Sequence, residues 1–148
     1  MLDEIVFRRI RMEDMVNPFV VNSFYNDCDP DGRTDYVSGP NPQPVDERTP
    51  QIKTIRFEDI EAVGAHGCVF FIRGLPESRI KRLSFRNISL TLSPAAHPVK
   101  PALMRGAPTC CRKGMDIANV ETLALANVRL HNAQGEEMTL QNVGCVQK

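Results

Sequence analysis

Two cations flank one apolar residue in the stretch Arg79-Ile80-Lys81, and this spacing could bind a carboxylate-bearing ligand. Residues i and i+2 of a strand project from the same face, so both cations could reach one acidic group. The alternative is that Ile80 packs inward while Arg79 and Lys81 are solvated. Because a repeated apolar pattern begins directly after this stretch, we interpret it as the outward face of a structural repeat.

A histidine lies in the stretch Ala65-His66-Gly67, which reads as a turn. We interpret His66 as a polar turn residue. The chain could also be an enzyme that uses Cys110 or Cys111 together with His97. No acid stands at a recognisable spacing to orient that histidine, so the sequence gives this reading little support.

The cysteines are odd in number and irregularly spaced, which makes a poor disulfide framework. There are five, namely Cys28, Cys68, Cys110, Cys111 and Cys145. No C-x-x-C pair occurs, and the three histidines do not join the cysteines at zinc-binding spacing. We therefore expect mostly buried thiols, no metal site and no cofactor.

Length and charge exclude several classes of function. The 148 residues suit one domain, and a hydrophobic fraction of 42% is enough for a core. The formal net charge is zero, which argues against a nucleic-acid partner. No apolar run approaches the roughly 18 residues of a membrane helix, and the first residues do not read as a secretory signal.

An apolar pattern at i, i+2, i+5 and i+7 recurs four times along the chain. Its members are Ile5-Phe7-Ile10-Met12, Ile55-Phe57-Ile60-Ala62, Leu83-Phe85-Ile88-Leu90 and Leu123-Leu125-Val128-Leu130. Second apolar stretches are found at 18–21, 68–72, 115–117 and 138–140. Apolar residues two apart indicate strands, and a repeat with variable insertions is typical of a solenoid.

Each repeat breaks its alternation by one residue, which predicts a bend just before the third apolar position. The polar residue there is Arg9, Asp59, Asn87 or Asn127. Asp and Asn tolerate left-handed backbone, so they suit such a corner. Arg9 does not share this tolerance, and we expect the first repeat to bend differently.

These patterns predict an all-β chain that folds as a parallel β-helix of about four coils. Residues 1–148 would form a single domain with long loops at 27–51 and 93–113. Equivalent positions of a solenoid must align for the core to be continuous. We therefore expect a single internal column of Phe7, Phe57, Phe85 and Leu125.

Three stretches resemble the C-terminal part of glycoside hydrolase family 28, the polygalacturonases and their relatives. They are IVFRRIRMEDMVNPFVVNSFY, TPQIKTIRFEDIEAVGAHGCVFFIRGLPESRIKRLSFRNISL and KGMDIANVETLALANVRL. The resemblance implies a right-handed β-helix and inverting hydrolysis of acidic pectic polysaccharide. Inversion uses a carboxylic acid and a carboxylate base roughly 6.5–9.5 Å apart.

The chain lacks the motifs that carry the catalytic carboxylates of this family. The family carries its carboxylates in an Asn-Thr-Asp motif and an Asp-Asp pair, and neither occurs here. Arg79-Ile80-Lys81 and Ala65-His66-Gly67 are similar to two further family motifs but lie one coil too late. We therefore expect a C-terminal fragment that is inactive alone, with no catalytic residue of its own.

The resemblance implies one substrate-binding residue, Tyr25, which matches a cleft tyrosine of the family. Its ring could stack on a sugar and its hydroxyl could bind it, or it could simply cap a strand. The loop that follows, with Arg33, Asp35 and Tyr36, could wall the same cleft.

The sequence thus leaves two main readings open. The first is a polygalacturonase-like portion that acts with upstream coils on pectic oligo- or polysaccharide. The second is a non-catalytic β-helix module that binds polysaccharide or protein. In either case we expect the first coil to self-associate or to pack on further coils, because its apolar residues would be uncovered.

Overall fold

The computed structural model describes residues 1–24, 41–47, 49–101, 104 and 107–148, and these contain strands but no helix. The alternating apolar segments form seven strands. They are β1 (Ile5–Glu13), β2 (Phe19–Asn22), β3 (Thr54–Ala65), β4 (Cys68–Arg73), β5 (Ile80–Leu92), β6 (Lys113–His131) and β7 (Met138–Gln147).

All seven strands belong to one curled sheet, and every pair of neighbouring strands is parallel. The order is β1-β3-β5-β6-β4-β2, with β7 also paired to β6. The long strand β6 joins the two halves of the sheet, since residues 113–118 pair with β4 and residues 120–131 pair with β5. This all-parallel arrangement is consistent with a β-helix-like solenoid.

The predicted internal column is confirmed by the strand register. Phe7 pairs with Phe57, Phe57 with Phe85, and Phe85 with Leu125. The rings of Phe7, Phe57 and Phe85 stack almost flat, with centroids 4.9 and 5.1 Å apart. Fully burying an aromatic side chain stabilises a fold by roughly 1.5–3 kcal/mol, so this column is a major source of stability.

A second aromatic stack faces the first across the interior. The rings of Phe19 and Phe70 lie 4.8 Å apart and nearly parallel. Each meets the first column edge-on, with Phe57 4.9 Å from Phe70 and Phe85 4.8 Å from Phe70. Edge-to-face contacts are favourable because the positive edge of one ring meets the negative face of another.

The repeats all bend at a residue in left-handed conformation. Asp59, Asn87 and Asn127 have φ of 55°, 56° and 54°. Their side chains form a ladder, because Asn87 Nδ2 donates to Asp59 Oδ1 at 2.8 Å and Asn127 Nδ2 donates to Asn87 Oδ1 at 3.1 Å. Arg9 also has a φ of 56°, so the expectation that the first repeat bends differently is wrong. Register with β3 imposes the same corner on it.

The outward faces of the strands β1, β3 and β5 carry charges that neutralise one another. Glu58 accepts from Arg8 Nε at 2.8 Å and from Arg86 Nη2 at 3.1 Å. Burial opposes ionisation of Glu58, but the two guanidinium groups hold its pKa below the ordinary value. Glu58 thus neutralises one cation on each neighbouring strand.

The segment between β5 and β6 covers the outer face of β4. Its residues Ala107 and Cys110 are buried against Cys68 and Phe71 in a second, smaller apolar cluster. An antiparallel bridge between Val99 and Cys110 holds this segment together. As a result, all six residues of β4 are buried.

Candidate functional site

Tyr25, Arg33, Asp35 and Tyr36 lie outside the described residues, so their predicted roles stay predictions. The Asn-Pro motif before Tyr25 has a clear structural part. Asn17 Oδ1 accepts a hydrogen bond from the Cys68 backbone N–H at 3.0 Å, and its Nδ2 donates to Lys100 O at 3.3 Å. Asn17 thereby joins the start of β2 to β4 and to the covering segment.

A groove of about 760 Å³ opens where the chain turns from β4 into β5. One wall is the turn that carries Pro76, Glu77, Ser78 and Arg79, and the floor comes from residues 51–54 together with Lys81 and Glu121. Concave sites with a few convergent polar groups are the usual form of ligand sites. We call this surface the β4–β5 groove.

Short-range contacts fix the shape of the β4–β5 groove. Ser78 Oγ donates to Pro50 O at 2.8 Å, which ties the turn to the opposite wall. Gly74 opens the turn where no side chain fits, because a Cβ there would lie 2.4 Å from Asn119 O. Together these contacts hold the turn in place at the edge of the groove.

Three cations line the groove, and their surroundings differ. Lys81 Nζ lies 2.7 Å from Glu121 Oε1, and Lys53 Nζ lies 3.7 Å from Asp3 Oδ2. Arg79 is half-buried and makes no ion pair or hydrogen bond within the described part of the chain. Its guanidinium is the groove's unengaged donor group.

An acceptor without a partner stands two residues away. Glu77 Oε2 is buried and makes no hydrogen bond to any described residue. An unsatisfied buried acceptor costs free energy, which a ligand hydroxyl could recover. The groove thus offers a free guanidinium donor, whereas the buried Glu77 Oε2 can meet a ligand only if its side chain moves.

The interpretation of Arg79-Ile80-Lys81 is confirmed for two of its three residues. Ile80 is fully buried in the core, and the Lys81 side chain is 63% exposed. Arg79 differs, because it is half-buried in the groove and not fully solvated. The two-residue period correctly predicts that the Arg79 side chain points away from the core. It does not predict that the preceding turn forms a wall of a groove there.

His66 has a partner that sequence reasoning missed. Its Nε2 lies 2.9 Å from Asp14 Oδ1, and its ring centroid lies 5.1 Å from that of His97. Its Nδ1 is buried and unpartnered among the described residues. The sequence did not reveal Asp14 as the partner of His66, because 52 residues separate the two.

A buried ion pair lies on the outer face of β4. Arg73 Nη2 is 2.7 Å from Asp116 Oδ1, and both side chains are less than 10% exposed. Arg73 Nη1 also donates to Asp116 O at 2.8 Å, and its guanidinium sits 4.0 Å over the Phe71 ring. In the sequence, Arg73 and Asp116 each stand out as a charged residue beside apolar residues.

Two thiols share the same layer. Cys68 and Cys110 are buried, Cys111 is half-buried and Cys145 is exposed, so the expectation of mostly buried thiols holds for two of the four described cysteines. A hydrogen bond with Cys68 lowers the Cys110 pKa to about 7, and Lys113 and Arg73 act in the same direction. The same interaction, with burial, raises the Cys68 pKa well above its usual range.

Comparison with known proteins adds no identity. No protein-family model, curated protein or solved structure matches this chain. Within the described ranges, no group of three or more His, Cys, Asp or Glu side chains is placed to hold a metal ion. The same ranges include no helix with the length and hydropathy that crossing a bilayer requires.

Proposed function

We propose that this chain is a polysaccharide-binding β-helix module, corresponding to the C-terminal portion of a polygalacturonase-like glycoside hydrolase. Its ligand would be an acidic, pectic oligo- or polysaccharide, held in the β4–β5 groove. The observation that carries the proposal is the unengaged guanidinium of Arg79 in that groove. The sequence resemblance supports the same class of ligand.

The chemistry of the groove suits a uronic acid unit. A guanidinium binds a carboxylate through two parallel hydrogen bonds, which gives both strength and orientation. Glu77 Oε2 could accept a hydrogen bond from a sugar hydroxyl once its side chain turns into the groove. A neutral sugar would leave Arg79 without a partner, so Arg79 favours acidic sugars.

We extend the proposal to the finer fold: a right-handed β-helix of about four coils. The parallel register of β1, β3, β5 and the second half of β6 supports it. So does the right-handed preference of parallel crossover connections. Hydrolysis would require carboxylates that the sequence motifs here do not supply.

The test is isothermal titration calorimetry with oligogalacturonate on the wild type and on Arg79→Ala. Losing a charged hydrogen bond is worth about 1.5–3 kcal/mol, so we expect affinity to fall at least roughly ten-fold. Arg82→Ala is the matched control. Arg82 is an exposed arginine at the start of β5 that does not line the groove, and its loss should leave affinity unchanged.

Two results would contradict this assignment. One is equal affinity for oligogalacturonate and for a neutral oligosaccharide of the same length. The other is an Arg79→Ala variant that binds as well as the wild type. If binding persists without Arg79 but still requires acidic sugars, the ligand class stands and the groove is the wrong site.

A second candidate function is self-association through the strand β1. Within the described residues this strand pairs on one side only, with β3. Phe7 stacks on Phe57 with one face and remains half-buried. Light scattering across a concentration series tests this, and a monomer at high concentration with strongly protected β1 amides would exclude it.

A further inference from the structure

We propose that Cys68 and Cys110 form a peroxide-sensitive dithiol that closes to a disulfide and fastens the segment 93–112 onto β4. This site is separate from the β4–β5 groove and does not depend on the function proposed there. The two cysteines are 42 positions apart in the chain yet pack in one small apolar cluster.

Burial of the two cysteines in one small cluster is the first support. Both side chains are buried in the cluster with Phe71 and Ala107. In the neutral state the Cys68 thiol donates to Phe70 O at 3.3 Å and the Cys110 thiol to Pro108 O at 3.6 Å. A hydrogen bond with Cys68 also lowers the pKa of Cys110 to about 7.

The surroundings of Cys110 favour a reactive thiolate, which is the second support. Lys113 and Arg73 stabilise negative charge on its sulfur, and the hydrogen bond from Cys68 does the same. Thiolates, and not thiols, are the nucleophiles in peroxide oxidation. Cys68 keeps its proton, so the pair divides into an attacking and a resolving cysteine.

The reaction balances with hydrogen peroxide as the oxidant. The Cys110 thiolate attacks one peroxide oxygen, the O–O bond breaks, and the leaving hydroxide takes up a proton to become water. Cys110 is then a sulfenic acid. The Cys68 sulfur attacks the Cys110 sulfur, the S–O bond breaks, and the departing hydroxide takes the Cys68 proton. Two thiols and one peroxide give one disulfide and two waters.

The backbone around the pair explains what the bond would do. Two described residues of the segment 93–112 bond to other parts of the chain, because Arg112 N donates to His66 O and Lys100 O accepts from Asn17 Nδ2. Both contacts are non-covalent and lie near the surface. A Cys68–Cys110 disulfide would link the covering segment covalently to the outer face of β4.

The experiment uses the full chain with Cys28, Cys111 and Cys145 replaced by serine, so that any bond joins Cys68 to Cys110. The protein is treated with an equimolar amount of hydrogen peroxide at neutral pH and digested with trypsin without reduction. Cleavage after Arg56, Arg73, Arg105 and Arg112 places the two cysteines in different peptides. We expect peptides 57–73 and 106–112 to be recovered as one species, lighter by two hydrogen atoms.

A Cys68→Ser substitution in the same background separates the two steps. Cys110 should still oxidise, and dimedone should trap its sulfenic acid because no resolving thiol remains. In urea the cross-link should form roughly ten-fold more slowly, since Cys110 regains an ordinary thiol pKa and is mostly protonated at neutral pH.

Two outcomes would overturn the proposal. One is over-oxidation or dimedone trapping at Cys110 without a cross-link while Cys68 is present. The other is cross-linking at the same rate in native and urea-unfolded protein. A cross-linked protein should also lose the segment 93–112 to limited proteolysis several-fold more slowly than its reduced form, and equal rates would show that the bond does not fasten the layer.

Discussion

The two faces of β4 are equally buried but built in different ways. On the inner face, Phe70 and Ile72 join the main core and continue a stack from neighbouring strands. On the outer face, Cys68 and Phe71 meet a segment that belongs to no repeat, and Arg73 pairs with Asp116 of β6. The inner layer is apolar and periodic, whereas the outer layer contains an ion pair and two thiols.

This difference shows what each layer requires of the sequence. The inner layer is specified by period, since any apolar residue at the right position extends the stack. The outer layer is specified by particular pairs, since a buried charge is tolerated only with its partner in place. Substitutions should therefore act on the inner layer through lost volume and on the outer layer through lost pairing.

The largest effect is expected in the inner layer, from Phe57→Ala. Phe57 is fully buried and contacts aromatic rings on four sides. Truncating such a side chain costs about 3–5 kcal/mol, and the rigid stack cannot collapse around the cavity, so we expect the upper end. Urea denaturation measures it. Phe71→Ala, in the outer layer, is the matched comparison and should cost less, because the covering segment can settle.

The ion pair provides the next test. Arg73→Met leaves Asp116 buried without its partner, and breaking such a pair costs roughly 3 kcal/mol or more. In the double variant Arg73→Met with Asp116→Leu, no charge is left unpaired. We expect the double variant to be more stable than either single variant. A double variant that loses the sum of both single effects would show that the two charges act independently.

A smaller effect is expected at the corner of the repeat, from Asn87→Ala. Alanine in left-handed conformation costs roughly 1–2 kcal/mol, and the two ladder hydrogen bonds are lost as well. Asn87→Gly relieves the backbone cost but not the hydrogen bonds, so it should fall between wild type and alanine. Thermal unfolding of the three proteins distinguishes backbone from side-chain contributions, and equal melting temperatures for the two variants would leave the ladder as the sole cause.

The smallest effect is a shift in the titration of Cys110. Its iodoacetamide reaction, followed in protein with only Cys68 and Cys110 retained, should show a midpoint near the pKa of about 7. The thiolate accepts the Cys68 hydrogen bond, so Cys68→Ala removes stabilisation of the charged form and raises the midpoint. Cys68→Ser keeps a donor and should raise it less. An unchanged midpoint in Cys68→Ala would assign the low pKa to Lys113 and Arg73.

The inner layer was predictable from the sequence because its information is local. Phe57 and Phe85 hold the same position in two repeats, so the sequence predicts that they share a column. The two-residue period of a strand fixes which face they occupy. The outer layer was not predictable. No pattern in the residues near Cys110 predicts that they pack in one cluster with Cys68. No pattern near Asp14 predicts its contact with His66. Insertions are held by contacts between residues that are far apart in sequence, and such contacts produce no periodic pattern.

The spacing of the stacked strands also has a consequence for how quickly the chain finds its fold. Bonded side chains on neighbouring strands are 23 residues apart between β6 and β7 and 28 apart between β3 and β5, but 50 apart between β1 and β3 and 40 apart between β5 and β6. The strand β7 has no buried residue, so β3–β5 is the pair with a short separation that also builds the core. Loop closure costs less for shorter loops, by roughly 0.5 kcal/mol between 28 and 50 residues. The β3–β5 pair is also rich in fully buried side chains. We therefore expect it to form the folding nucleus, so that Ile88→Val slows refolding while Ile10→Val mainly accelerates unfolding in stopped-flow measurements.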